Sequence, residues 1–147
     1  MTVTTDTKIT DSEWEVMRVV WANQEVTSKE IVEILEQKKA WKPATTKTFI
    51  GRLVKKDMLK TKKDGNKFIY STDVNEVDFV KNMLNDLFDN VCDREKGGII
   101  AHLLSQMTLS YDDVESITTI LTNKEKEAVE LVPCNCLPGQ CHCKIII

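Results

Sequence analysis

A chain of 147 residues with 41% hydrophobic content suits one modest globular domain, or two small units sharing a core. Its net charge of −3, taken alone, argues against nucleic-acid binding. No apolar run approaches the roughly 20 residues that span a bilayer, and the polar start Met1-Thr2-Val3-Thr4-Thr5 lacks the apolar segment of a secretion signal, so a cytoplasmic protein without a membrane partner is expected.

The first predicted helix starts near Asp11. Thr10-Asp11-Ser12-Glu13 has the form of a capping box, in which Thr10 and Glu13 satisfy each other's backbone N–H groups. Trp14, Met17, Val20 and Trp21 then give an apolar face, and Asn23-Gln24 ends it. A second box, Thr27 to Glu30, opens helix two, with Ile31, Ile34 and Leu35 as its buried stripe and Lys38-Lys39 at its end. Helix three begins at Lys42-Pro43, where proline suits a first turn. Phe49, Ile50, Leu53 and Val54 make its core side. Thr45, Lys47, Thr48, Arg52, Lys55 and Lys56 lie opposite, and Thr46 joins the candidate DNA-facing set. Threonine is a poor helix former by a few tenths of a kcal/mol. It suits a helix that lies against base edges, because it offers a hydroxyl and a methyl in little space.

A hairpin follows. Met58 to Lys63 leads into Asp64-Gly65-Asn66 and then Lys67 to Thr72, and Asp-Gly is a tight-turn signal. Three helices and a basic hairpin make a winged helix-turn-helix, with helix three in the major groove and the wing on the phosphates. From Asp73 the chain becomes acidic and helical. Helix four carries Val77, Val80, Leu84, Leu87, Phe88 and Val91. Gly97-Gly98 precedes a fifth helix with Ile99, Ile100, Leu103, Leu104 and Met107, and a sixth starts from Ser110 with Val114, Ile117, Ile120 and Leu121. These stripes are too apolar for solvent and predict a second copy of the chain as partner, with Val77, Val80, Leu84, Leu87, Phe88, Leu103, Leu104, Ile117 and Leu121 at the dimer contact. The expected fold is therefore mainly α with a small β-hairpin. A winged-helix DNA-binding domain spans 1–73, a helical dimerisation domain 74–129 and a cysteine-rich metal-binding tail 130–147.

Charge follows this division. Residues 1–72 hold 14 Lys/Arg against 10 Asp/Glu, and residues 73–147 hold 6 against 13. Between Lys38 and Lys67 stand 11 basic residues and only Asp57 and Asp64 as acids, a footprint for phosphates on helix three and on wing residues Lys60, Lys62, Lys63 and Lys67.

Four of the five cysteines, Cys134, Cys136, Cys141 and Cys143, fall within ten residues as C-x-C-x4-C-x-C. Pro138-Gly139 supplies a turn that folds the second pair onto the first. Four thiolates can enclose a tetrahedral Zn(II) at about 2.3 Å, and soft sulfur also selects Cu(I). A redox disulfide pair and a chance cluster remain open alternatives. His142 is read as solvent-exposed and Cys92 as a small buried apolar residue. An enzyme is not expected: His102 and His142 are the only histidines, and no nucleophile–base pairing is suggested.

Asp11-Ser12-Glu13-Trp14-Glu15-Val16-Met17 with Val20-Trp21, the run Thr45 to Leu59, and Lys67-Phe68-Ile69-Tyr70 resemble the penicillinase-repressor (BlaI/MecI) family over about residues 8–125. The cysteine tail resembles its copper-responsive, CopY-type branch. The resemblance implies a dimeric repressor on an inverted-repeat operator of double-stranded DNA with TACA/TGTA half-sites, controlling copper-homeostasis genes. It implies that the Zn(II) form binds DNA and that Cu(I), delivered by a copper chaperone, displaces zinc and releases it. By position, Thr45, Lys47, Thr48 and Arg52 would read or clamp DNA, Lys60, Lys62, Lys63 and Lys67 would lie on the wing, and Cys134, Cys136, Cys141 and Cys143 would hold the metal. Asp57 departs from the family, which commonly has glycine there. A thiol-redox repressor of the same fold and a copper-storage or chaperone protein are the alternatives. The latter would need the thiols but not a Thr/Lys helix and a basic wing.

Overall fold

A computed structural model describes residues 8–140. The chain forms two compact units, one ending at Met83 and the other beginning at Leu84.

In the first unit α1 (Asp11–Asn23), β1 (Val26–Thr27), α2 (Ser28–Lys39), α3 (Pro43–Lys55), β2 (Lys60–Asp64) and β3 (Lys67–Ser71) precede α4 (Glu76–Asp89), whose opening turns belong to this unit. Both predicted capping boxes are present, Thr10 with Glu13 and Thr27 with Glu30. Pro43 occupies the first turn of α3. The antiparallel sheet has the order β1-β3-β2. β1 adds a two-residue strand that alternation is too short to reveal. The hairpin closes with Asp64 opposite Lys67, so Gly65-Asn66 forms the loop. Gly65 has φ +64° at its first position, a conformation that glycine adopts without steric cost. This is the α/β order of a winged helix, as the sequence predicts.

The core joins Val16, Met17 and Val20 of α1 to Ile31 and Leu35 of α2, Ile50 and Leu53 of α3, and Met58 and Leu59. In α2 the inward positions are Ile31, Val32 and Leu35, while Ile34 is exposed, one position off the predicted stripe. Phe79 of α4 sits edge-on to Trp14 at 5.4 Å and tilted against Trp21 at 5.9 Å between ring centroids. The Trp21 Nε1–H donates to the Val74 carbonyl at 2.8 Å. Aromatic packing and a satisfied indole thus fix the start of α4 to α1.

In the second unit α5 (Asp93–Gln106) and α6 (Tyr111–Glu125) follow the remainder of α4. α5 begins at Asp93, six residues before the predicted start at Ile99, and contains Gly97 and Gly98. Asp93 and Glu95 in its first turn favour the positive helix end, and each glycine costs about 1 kcal/mol against alanine without breaking the helix. α6 opens at Ser110 with a capping box to Asp113. Among the described residues, neither α5 nor α6 buries a side chain. Of the residues predicted for a dimer contact, Val77 (57%), Leu84, Leu87 (58%), Leu103 and Leu121 (57%) are exposed, and Val80, Phe88, Leu104 and Ile117 are half-buried.

Glu13 is 1% exposed and carries two loads. Its carboxylate accepts from the Thr10 backbone N–H at 2.8 Å and from Lys56 Nζ at 2.6 Å, and the same ammonium donates to the Lys8 carbonyl at 3.0 Å. Burial pushes the Glu13 pKa up, but the bonds from Lys56 and Thr10 outweigh it and hold the group below the usual glutamate range. A folded-state pKa below the unfolded value contributes stability above the unfolded pKa, and this is lost as pH falls through the folded pKa. Glu13→Gln is therefore expected to cost about 1–3 kcal/mol at pH 7 in a urea melt, with the deficit against wild type shrinking below about pH 4. A deficit independent of pH would show that the charge is not what matters.

Ala40 ends α2 at φ +57°, in the left-handed region that penalises a Cβ. Ala40→Gly is expected to raise stability by about 1 kcal/mol, read as an upward shift of a few degrees in the thermal midpoint. An unchanged or lowered midpoint would mean that the gain in unfolded-state entropy cancels the relief.

Candidate nucleic-acid interface and metal centre

α3 divides its faces by helical spacing. Thr46, Ile50 and Leu53 are buried, whereas Thr45, Thr48, Arg52 and Lys55 form an exposed row at i, i+3, i+7 and i+10, flanked by exposed Lys47. The Arg52 guanidinium lies 5.7 Å from the centre of the Phe49 ring, and that ring packs on Trp41 at 5.0 Å. This aromatic ledge restrains a long cation while leaving it at the surface. Thr48 spends its hydroxyl on the Ala44 carbonyl at 3.0 Å.

Two residues of the sequence-derived set stand elsewhere. Thr46 is wholly buried, on the same face as Ile50, and its hydroxyl has no hydrogen-bond partner among the described residues, so it is a core residue. Lys56 is held by Glu13 and the Lys8 carbonyl, which turns its ammonium to the start of α1 rather than outward. Spacing alone puts Thr46 on the core face, four residues before Ile50 and seven before Leu53, whereas the direction of Lys56 depends on what packs beside α3.

Every residue of β2 is exposed, as is Lys67 at the start of β3. Lys62 and Lys63 thus stand in solvent on the hairpin with Lys67. Lys60 makes a surface ion pair with Asp73 at 2.9 Å, a contact of little energetic weight at such exposure. Phe68, opposite Lys63 in the ladder, is half-exposed beside these cations.

The second site lies in the other unit. The sulfurs of Cys92, Cys134 and Cys136 all fall within 4.8 Å of one another, with Cys92 Sγ and Cys134 Sγ 3.7 Å apart. A tetrahedral ion at about 2.3 Å from each thiolate sets its sulfurs about 3.8 Å apart, so this donor set fits a soft or borderline metal. The Cys136 N–H donates to Cys134 Sγ at 3.3 Å. A polar hollow of about 370 Å³, lined by Asp89, Asn90, Cys92, Asn135 and Cys136, opens beside the sulfurs. Cys141, His142 and Cys143 lie outside the described residues. Cys92 is half-buried and belongs to this cluster, contrary to its reading as a packed apolar residue. Its place in the Asn90-Val91-Cys92-Asp93 break, off the apolar stripe of α4, is the one local signal that sets it apart.

The sequence model of the penicillinase repressor family matches residues 9–123. The uncharacterized 16.5 kDa protein in the ptsI 3′ region of Latilactobacillus sakei is 44% identical over 137 residues, which is 93% of this chain and 94% of that protein. The methicillin resistance regulatory protein MecI of Staphylococcus aureus (strain N315) is 32% identical over 124 residues, 80% of this chain and 95% of its own. The solution structure of the DNA-binding domain of the repressor BlaI is 35% identical, with a TM-score of 0.46, over 49% of this chain and 88% of that one. Among the described residues no helix is long and apolar enough to cross a membrane. The chain belongs to the penicillinase repressor family, whose members are DNA-binding transcriptional repressors and not enzymes.

Proposed function

We propose that this repressor is dimeric and copper-responsive, that its Zn(II) form holds an inverted-repeat operator with TACA/TGTA half-sites upstream of copper-homeostasis genes, and that Cu(I) displaces zinc and releases the DNA. The observation that carries the metal reading is the convergence of three thiol sulfurs within 4.8 Å in a chain whose family represses transcription. Thiolate donors retain Zn(II) and prefer Cu(I) when it is present. The sequence adds Cys141 and Cys143 to the supply of ligands. The dimer reading rests on the uncovered apolar rows of α4, α5 and α6, which one chain leaves in water and a second copy would cover. A domain division at 1–73, 74–129 and 130–147 assigns these tasks to winged helix, dimer helices and metal tail.

In this reading Thr45, Thr48 and Arg52 face base edges, while Lys47, Lys55, Lys62, Lys63 and Lys67 meet phosphates. Lys62→Ala combined with Lys63→Ala is expected to weaken operator and unrelated duplex alike. The slope of log affinity against log salt should fall by about 0.9 for each phosphate that the variant no longer neutralises. If operator affinity fell with the slope unchanged, the wing would not be neutralising phosphates.

The metal switch is tested by anaerobic fluorescence anisotropy of a labelled TACA…TGTA duplex bound to zinc-loaded protein and titrated with Cu(I). Release is expected near two Cu(I) per chain, and not at all in a variant with Cys134, Cys136, Cys141 and Cys143 changed to Ser. Retention of the duplex through the titration would overturn the copper reading. If oxidant rather than anaerobic copper released the DNA, a thiol-redox repressor would take its place.

A further inference from the structure

We propose that Cys92 is itself a metal ligand, and that through it the metal centre grips the first turn of α5. The proposal deepens the metal-responsive reading above and rests on it. Cys92 stands 42 residues from Cys134 in sequence, outside the C-x-C-x4-C-x-C pattern, yet their sulfurs are 3.7 Å apart. That separation matches neighbouring ligands of one tetrahedral ion.

The tail is also seated against α5 by contacts that do not involve sulfur. Cys92 is the N-cap of α5 but its side chain makes no capping hydrogen bond. The cap comes instead from the tail: Asn135 Oδ1 accepts from the Asp93 backbone N–H at 2.9 Å. Beside it, Arg94 Nε donates to the Val132 carbonyl at 2.7 Å. Residues 132, 134 and 135 therefore meet residues 94, 92 and 93, contacts that bring Cys134 to Cys92 without help from a metal. The sulfurs of Cys92 and Cys134 also face the positive end of the α5 dipole, which favours the negative charge of a thiolate cluster.

The bland account of Cys92 is a small apolar filler beside a helix start. That account predicts neither the reach to Cys134 nor the inclusion of Cys136 within 4.8 Å. The chain's five cysteines also exceed the four thiolates of a tetrahedral ion. The tail therefore has a choice of ligands, of which Cys92 alone belongs to the helical region.

The test uses the full-length wild-type protein with Zn(II) as the probe. The rate of N-ethylmaleimide alkylation at each cysteine is measured by mass spectrometry with and without one equivalent of metal. Cys92 is expected to be slowed at least about tenfold by Zn(II), together with Cys134 and Cys136, since a coordinated thiolate is withdrawn from reaction. If Cys134 and Cys136 were slowed while Cys92 kept its metal-free rate, the inference would be overturned and the metal reading would stand. If no cysteine were slowed, both would fall.

The Co(II)-substituted protein provides a second measurement. In a Cys143→Ser background, which leaves four cysteines and no spare ligand, adding Cys92→Ser should lose about one quarter of the sulfur-to-metal charge-transfer absorbance, the share of one thiolate in four. An unchanged spectrum in a variant that keeps its far-UV circular dichroism would overturn the inference independently.

Discussion

Glu13 is the one charged side chain buried among the described residues, and the geometry of the DNA-binding unit turns on it. A carboxylate in an apolar setting is costly unless its oxygens are satisfied. Here a capping N–H at the start of α1 and an ammonium from the end of α3 satisfy it together. The consequence is geometric. Lys56 is the C-cap of α3, so the bond ties the end of that helix to the start of α1 and agrees with the rotation set by its buried residues. Rotation decides which row meets the core and which meets solvent. With Thr46, Ile50 and Leu53 turned inward, Thr45, Thr48, Arg52 and Lys55 must turn outward. This ion pair, buried on its Glu13 side, together with the inward residues of α3 presents the candidate reading face, and the chain reverses directly after it through Asp57 at φ +61°. Aspartate tolerates that conformation better than most side chains, which is how this sequence manages a position where a family pattern of glycine would be free of strain.

Most of the fold was legible because its boundaries are set by local chemistry. Thr10 with Glu13, Thr27 with Glu30, Ser110 at α6 and Pro43 at α3 are start signals whose partners lie within three residues or need none. The hairpin was equally local, since the turn geometry at Gly65 follows from one residue type. What escaped depends on distant partners. Ile34 and Val32 exchange places because the stripe on α2 is narrower than its apolar composition. Gly97 and Gly98 read as a break, yet the helix already starts at Asp93, where Asn135 from the tail supplies the cap. Lys56 read as one more base in a basic block, and only the position of Glu13 shows where it points. The described part of the thiol site was half legible: the Cys-x-Cys pair is a pattern, but the docking that adds Cys92 spans 42 residues.

The exposed apolar rows of the helical unit favour the dimer proposed above. Domains this small leave a large fraction of their surface in water, and α5 and α6 bury no described side chain. Burial of exposed rows such as Leu84 with Leu87, and Leu103 with Ile99, returns about 25 cal/mol per Å² of apolar surface. Two chains on a two-fold axis would recover it, and they would also present two reading helices to two half-sites. In this reading folding, assembly and operator symmetry share one cause.

Energetics also limit the proposed switch. Driving an operator from almost fully bound to almost fully free takes about 5.5 kcal/mol of differential binding. A single allosteric coupling typically supplies about 1–3 kcal/mol, so two metal sites in a dimer are needed to approach it. In the proposed switch charge would not be the lever, because one Zn(II) on four thiolates and two Cu(I) on four thiolates carry the same net charge. Coordination number differs: zinc holds ligands tetrahedrally, whereas Cu(I) accepts fewer per ion and bridges. A purely tail-borne site would absorb that change within one short loop and transmit little. A site that also draws on Cys92 must pull on the first turn of α5, one residue from the N–H that Asn135 caps. Ligand geometry would then bear on the start of α5, the helix whose exposed Ile99 and Leu103 are candidates for the dimer contact.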